Sequence, residues 1–232
     1  MATIRFGGNR TRLTGLYASP TVIHSSRVQV CFHTRPPGGR RGWRTDFGSK
    51  GIDAASTRAK GLMVGYREDS CAAVVQGLEA AGIQFFIHVP DSFGAPVISH
   101  FEASEQVRSF PVAKEEEGIG IAAGLAMTGK RGVLFYQDTG LGNSIGALTT
   151  YAAAYHVPIL LLAIRRGGFG EFNAANFQFS ETAVEMVETM RIKAFTLDYK
   201  VPLDQWPGAI KQAYDYSHMT HRPIIVFLNL KD

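Results

Sequence analysis

From residue 69 onward the chain alternates between helix-like and strand-like segments, and this alternation limits the fold more than any other feature of the sequence. Asp69 or Ser70 is placed to cap a helix over 72–81, and Gly82 to stop it. Residues 83–89 form an apolar, strand-sized run closed by Pro90. The pattern then predicts a short helix near 92–101, a strand at 107–113, a helix at 115–127, a strand at 133–137 and a helix at 144–155. Residues 157–164 make the most apolar strand, and a long loop over 165–179 leads to a helix at 181–190 capped by Ser180. A strand at 193–197, a helix with Pro207 in its first turn and a strand at 223–228 complete the pattern. Strands separated by helices imply an α/β fold: a doubly wound, mainly parallel six-stranded sheet with helices on both faces. Such sheets bind ligands beyond the carboxyl ends of their strands. That rule singles out four segments: 90–93, 114–117, 138–143 and 165–178.

Residues 1–66 read differently. They lack sustained periodicity, and the run from Arg35 to Gly42, with its two prolines and three glycines, fits neither a helix interior nor a central strand. The expected division is a disordered basic leader over 1–66 and one folded domain over 67–232. Residues 1–62 carry eleven Lys and Arg against Asp46 and Asp53, a balance of +9, which leaves 13 basic and 18 acidic residues in the remainder, a balance of −5. The overall charge of +4 therefore says little about partners of the folded part, for which neither nucleic acid nor membrane is expected. A targeting segment, a nucleic-acid-binding arm and a true start near Met63 all fit the leader's composition.

No apolar run reaches the roughly 18 residues of a membrane span. Cys31 and Cys71 show no metal or redox spacing, which fits a reducing, cytoplasmic setting.

The segment Glu115-Glu116-Glu117-Gly118-Ile119-Gly120-Ile121-Ala122-Ala123-Gly124 opens a helix with three acids, which the helix dipole favours. Its glycines each cost roughly 1 kcal/mol against Ala, which makes sense if another backbone or a ligand packs very close. A carboxylate heading such a helix at a strand tip is a candidate buried acid whose pKa burial would raise. Asp138-Thr139-Gly140-Leu141-Gly142-Asn143-Ser144 lies between a strand and a helix, where Gly-rich turns can cradle phosphates; the next glycine, Gly146, comes one residue too late for a dinucleotide fingerprint. Asp91 and Ser92 end the first strand with polar groups, and Arg165 and Arg166 end the most apolar one, where Arg geometry suits carboxylate, sulfonate or phosphonate. Of the histidines in the folded part, only His88 is set aside as more than structural.

Taken in order, Val89-Pro90-Asp91-Ser92, Glu115–Gly124 with Thr128-Gly129-Lys130, Gly140-Leu141-Gly142-Asn143, Val157-Pro158, Arg166-Gly167 and Gln178 resemble the pyrimidine-binding domain of thiamine diphosphate enzymes, above all the sulfopyruvate and phosphonopyruvate decarboxylases. The resemblance covers about residues 69–232. It implies that Glu115 hydrogen-bonds N1′ of the cofactor's aminopyrimidine ring, favouring the tautomer that deprotonates the thiazolium, which then acts as electron sink for loss of CO₂. It also implies that Gly140, Gly142 and Asn143 lie near that ring and that Ser92 faces substrate; Asp91, Arg166 and Gln178 are the further candidate substrate-binding residues. His88 stands where relatives usually carry Gly, and Arg165 where they commonly carry Trp. The family holds the diphosphate and Mg²⁺ with a Gly-Asp-Gly segment that this chain lacks. The resemblance thus implies no metal ligand here, a beta subunit that supplies that segment, a hetero-oligomer with alpha-alpha or alpha-beta contacts, and an anionic 2-keto acid substrate, sulfopyruvate before phosphonopyruvate. Two readings from other classes remain open at this point: an NADP-binding oxidoreductase using the Gly140 loop, and a non-catalytic interaction subunit with the same fold.

Overall fold

A computed structural model describes residues 67–168 and 170–231; the expected leader lies outside the described residues. The order is α1 (Glu68–Ala80), β1 (Phe85–His88), α2 (Ala95–Glu102), β2 (Arg108–Pro111), α3 (Glu115–Met127), β3 (Gly132–Gln137), α4 (Leu141–Ala147), β4 (Ile159–Ile164), α5 (Phe177–Thr189), β5 (Lys193–Leu197), α6 (Trp206–Thr220) and β6 (Pro223–Leu228). All five strand pairings are parallel, in the order β2-β1-β3-β4-β6-β5. The six-stranded doubly wound sheet expected from the sequence is therefore present.

Strand pleating divides the apolar residues between two layers. Phe86, Phe135, Leu160, Leu162 and Val226 face α1, α2 and α6, together with Val74, Phe101, Ile210 and Tyr214. Ile87, Leu134, Tyr136, Leu161 and Phe227 face α3, α4 and α5, together with Ile119, Leu141, Leu148 and Val187. β4 and β6 are buried along their whole length, which is why both read as continuous apolar runs. None of the described helices is long and apolar enough to cross a membrane.

Three local expectations are corrected. Ser180 does not cap a helix: α5 starts three residues earlier, after a single 3-10 turn at Ala174–Asn176, and Ser180 lies inside it. The Gly140 segment is not an open cradle, because a 3-10 turn at Asp138–Gly140 runs straight into α4, placing Gly142 and Asn143 in a helical first turn. α4 continues as a π-helix over Leu148–Ala153. There the Thr149 and Thr150 hydroxyls donate back to the carbonyls of Ile145 and Gly146, competing with the regular ladder. Asp69 and Ser70 fall within α1, whose N-cap is Arg67.

The chain leaves β1 in one direction to form β2 and returns past it to form β3, so the strand order reverses between β1 and β3. The return element is α3. Its first residue therefore sits at the crevice where ligands bind in this class of sheet.

Candidate active site

Lys114, in extended conformation, is the N-cap of α3, and the three glutamates that follow diverge at once. Glu117 folds back and accepts from the backbone N–H groups of Ala113 and Lys114, each at 3.2 Å, as a capping-box residue does. Glu116 points outward. Glu115 turns inward and is only 7% exposed. The first of the three, selected above by family pattern, is the one the fold buries.

The wall beside Glu115 is the turn after β3. A Cβ on Gly140 would stand 2.5 Å from Glu115 Cγ and 2.6 Å from Oε1, so no other residue fits at 140 without displacing the carboxylate. Asn143, three residues on, donates from Nδ2 to Glu115 Oε2 at 2.9 Å. Oε1 has no hydrogen-bond partner among the described residues. One carboxylate oxygen is thus fixed by the chain while the other stays available at the switch point, an arrangement that can accept a hydrogen bond from a ring N–H. Glu115, Gly140 and Asn143 are brought together. Gly142 lies one residue along, against the Phe179 ring, 3.0 Å from where its Cβ would be.

A second polar cluster, at the tips of β1 and β4, is closed. Arg166 is 5% exposed. It donates from Nε and Nη2 to Glu171 at 2.7 and 3.0 Å, and from Nη1 to Asp91 at 2.5 Å and Gln137 at 3.2 Å. Four of its five N–H donors are therefore used. The guanidinium also lies 4.2 Å from the Phe93 ring centroid. Asp91 is committed as well, its second oxygen accepting from the backbone N–H of Phe93 and Gly94. Arg166 and Asp91, expected to meet substrate, are thus paired with each other and, for Arg166, with Glu171, which leaves one guanidinium N–H without a partner among the described residues. Burial pushes the Glu171 carboxyl up, but Arg166 and the backbone N–H groups of Asn173 and Gly167 outweigh it and hold it at about 2.

Between the two clusters sits Asp138, fully buried and not anticipated as a functional residue. It accepts from Ser180 Oγ at 2.7 Å and from the backbone N–H of Arg166 at 3.2 Å, tying the Gly140 turn to α5 and to the tip of β4. Burial raises its pKa against the opposing pull of Ser180, Arg166 and Arg165. The only signal for it was its place at a strand end. Glu171 carried none, since loop spacing has no period to read. Ser92, just beyond the tip of β1, and Gln178, in the first turn of α5, are exposed, with no side-chain hydrogen bond among the described residues. His88 is 1% exposed, and its ring nitrogens make no hydrogen bond. Its Nε2 lies 3.5 Å from Glu102 without bonding geometry, and burial lowers its pKa despite that carboxylate. Among the described residues, no three His, Cys, Asp or Glu side chains converge as a metal site.

The three glycines of α3 separate. Gly118 is packed, its Cβ position 2.7 Å from Leu134. Among the described residues nothing lies within 4 Å of the Cβ positions of Gly120 and Gly124, so the close approach expected there is not made by them. Ile121 and Met127 border that face at 38% and 70% exposure.

A buried strand-tip glutamate, set against a glycine turn at the switch point of a parallel sheet, defines a cofactor-binding α/β domain. Residues 70–168 match the family described as the thiamine pyrophosphate enzyme N-terminal TPP binding domain. The chain is 36% identical to the sulfopyruvate decarboxylase subunit alpha of Methanothermobacter thermautotrophicus, over 53% of this chain and 75% of that protein. It is 30% identical to the corresponding subunit of Methanococcus maripaludis, over 68% of this chain and 92% of that protein. With the phosphonopyruvate decarboxylase of Streptomyces viridochromogenes it shares 31% identity, over 43% of this chain but only 25% of that longer protein. In fold it resembles the 2-oxoglutarate:ferredoxin oxidoreductase of Magnetococcus marinus, with a TM-score of 0.54 at 14% identity, covering 70% of this chain and 29% of that one. The chain belongs to the thiamine pyrophosphate enzymes and, within them, to the sulfopyruvate decarboxylase alpha-subunit family. The oxidoreductase reading is not favoured: the Gly140 turn presents a carboxylate where a dinucleotide pyrophosphate would need backbone N–H groups and open space.

Proposed function

We propose that this chain is the alpha subunit of a two-chain thiamine diphosphate-dependent decarboxylase, turning sulfopyruvate into the corresponding aldehyde and CO₂ and inactive without a beta subunit. Phosphonopyruvate is the second choice of substrate. The observation that carries the reading is the Glu115 carboxylate, buried against Gly140 with one oxygen held by Asn143 and the other unused. That donor set fits the aminopyrimidine end of thiamine diphosphate, which supplies the electron sink for decarboxylation when bound. Glu115 would hold a proton at ring N1′, Asn143 would fix the carboxylate's rotation, and Gly140 would keep the ring's approach free of side-chain bulk. Ser92 and Gln178, which are exposed, would meet substrate first, with the paired Asp91 and Arg166 behind them.

The missing half of the site argues for a partner. The chain has no Gly-Asp-Gly segment for the diphosphate and Mg²⁺, which the beta subunit would hold. The open glycine face of α3 begins one turn beyond Glu115 and offers Gly120, Ile121, Gly124 and Met127 for that subunit to cover. A cytoplasmic setting follows from the same reading.

The test is reconstitution. Purified chain alone should release no CO₂ from sulfopyruvate. Chain plus beta subunit, thiamine diphosphate and Mg²⁺ should do so, and omitting any one component should abolish it. Turnover by the isolated chain, or none by the full mixture with either substrate, would overturn the proposal.

A further inference from the structure

The turn that presses on Glu115 is itself held from behind by two buried hydroxyls that the proposed reaction does not use. Tyr136, on β3, has no exposed surface, and its hydroxyl lies 2.8 Å from Ser144 Oγ. Ser144, also fully buried and in the first turn of α4, donates from Oγ to the carbonyl of Gly140 at 3.2 Å. A serine hydroxyl has one hydrogen. With that hydrogen on Gly140, Tyr136 must be the donor of the pair, so the chain runs one way: Tyr136 to Ser144 to Gly140. It ends on the residue whose Cα lies against the Glu115 carboxylate.

We infer that Tyr136, acting through Ser144, is a positioning residue that fixes the Gly140 turn and thereby the orientation of Glu115 and Asn143 toward the cofactor. The inference rests on the functional reading of Glu115 given above. Tyr136 touches neither cofactor nor substrate. A tyrosine needed only to fill the core would require no such partner, because Phe has the same shape without a hydroxyl to satisfy. Gly140 and Asn143 lie on one turn, so its movement shifts both the wall and the donor that hold the carboxylate. Burial of Tyr136 keeps its phenol protonated, its pKa pushed well above the usual range, with the Glu115 charge acting in the same direction. The hydroxyl thus remains a donor throughout the working range of the enzyme.

The experiment uses the reconstituted alpha–beta complex carrying Tyr136→Phe, Ser144→Ala, both, or Glu115→Gln. Thiamine diphosphate affinity is measured calorimetrically without substrate, alongside kcat, KM and the pH profile of kcat. Tyr136→Phe should lower kcat roughly 10-fold, the size of one neutral hydrogen bond, with KM unchanged. It should weaken cofactor binding several-fold and displace the acid limb of the pH profile. Because Tyr136 acts only through Ser144, the double variant should resemble Ser144→Ala alone rather than lose about 100-fold. If Tyr136→Phe fails to fold, Ser144→Ala alone must show the same affinity and pH effects. Wild-type affinity and pH profile in the folded variants, or additive losses in the double variant, would overturn the inference. Full turnover by Glu115→Gln would instead overturn the reading on which it rests.

Discussion

Two polar clusters occupy the strand tips of one sheet, and they differ in what they leave unsatisfied. At the tip of β4, Arg166 spends four of its five donors on Asp91, Gln137 and Glu171. At the head of α3, Glu115 accepts one bond from Asn143 and keeps an oxygen free beside a glycine. Burial is nearly the same in both places. The difference is valence: a nearly completed set of partners builds structure, and a half-filled one offers chemistry.

The strongest way to break this contrast is to exchange the outcomes of substitution at the two centres. Glu115→Gln keeps the shape and removes the anion; turnover of the reconstituted complex should fall about 10²–10⁴-fold while the thermal midpoint barely moves. Arg166→Met should do the reverse. Removing the cation strands the Asp91 and Glu171 carboxylates in the interior, a loss of about 3–5 kcal/mol in denaturant unfolding, with activity per folded molecule much less affected. An Arg166 variant that was stable but dead would return this residue to the substrate site.

Gly140→Ala sharpens the contrast at smaller amplitude. The new methyl would meet Glu115 at 2.5 Å, so about 1–3 kcal/mol of stability should go, with a matching loss of thiamine diphosphate affinity by calorimetry. Acid should separate the two regions from the rest of the fold. His88 is held below its ordinary 6.5, so the unfolded chain takes up its proton first and stability should decline as pH falls from about 6.5 toward the lowered folded value. Glu171 is held at about 2 against an ordinary 4.5, so its contribution is complete above 4.5 and is lost as pH falls from there to about 2. His218 is likewise held below 6.5 by burial, so His88→Met should reduce the first decline in equilibrium unfolding, His88→Met with His218→Met should reduce it further, and the second should stay.

The sheet was legible because β4 and β6, buried on both faces, appear as unbroken apolar runs between helical patterns. Glu115 was legible because three acids head a glycine-rich helix, though choosing among them needed the family pattern. In the fold the choice follows from Glu117 capping backwards and Glu116 facing outward. What stayed hidden was partnership. Arg166 looked like an anion binder because Glu171 lies in a loop without period and Asp91 lies 75 residues away. Ser180 looked like a cap because the sequence does not show that Asp138 takes its hydroxyl. The glycines at 120 and 124 pointed to close approach by another backbone or a ligand, and among the described residues nothing covers them.

The most direct measurement is an experimental structure of the assembled alpha–beta complex with thiamine diphosphate bound. In that structure Glu115 Oε1 should lie within hydrogen-bonding distance of ring N1′, about 2.6–3.0 Å, with Asn143 still on Oε2 and the partner chain over α3. A ring seated elsewhere, or a Glu115 carboxylate turned to bulk water in that complex, would contradict the role given to Glu115.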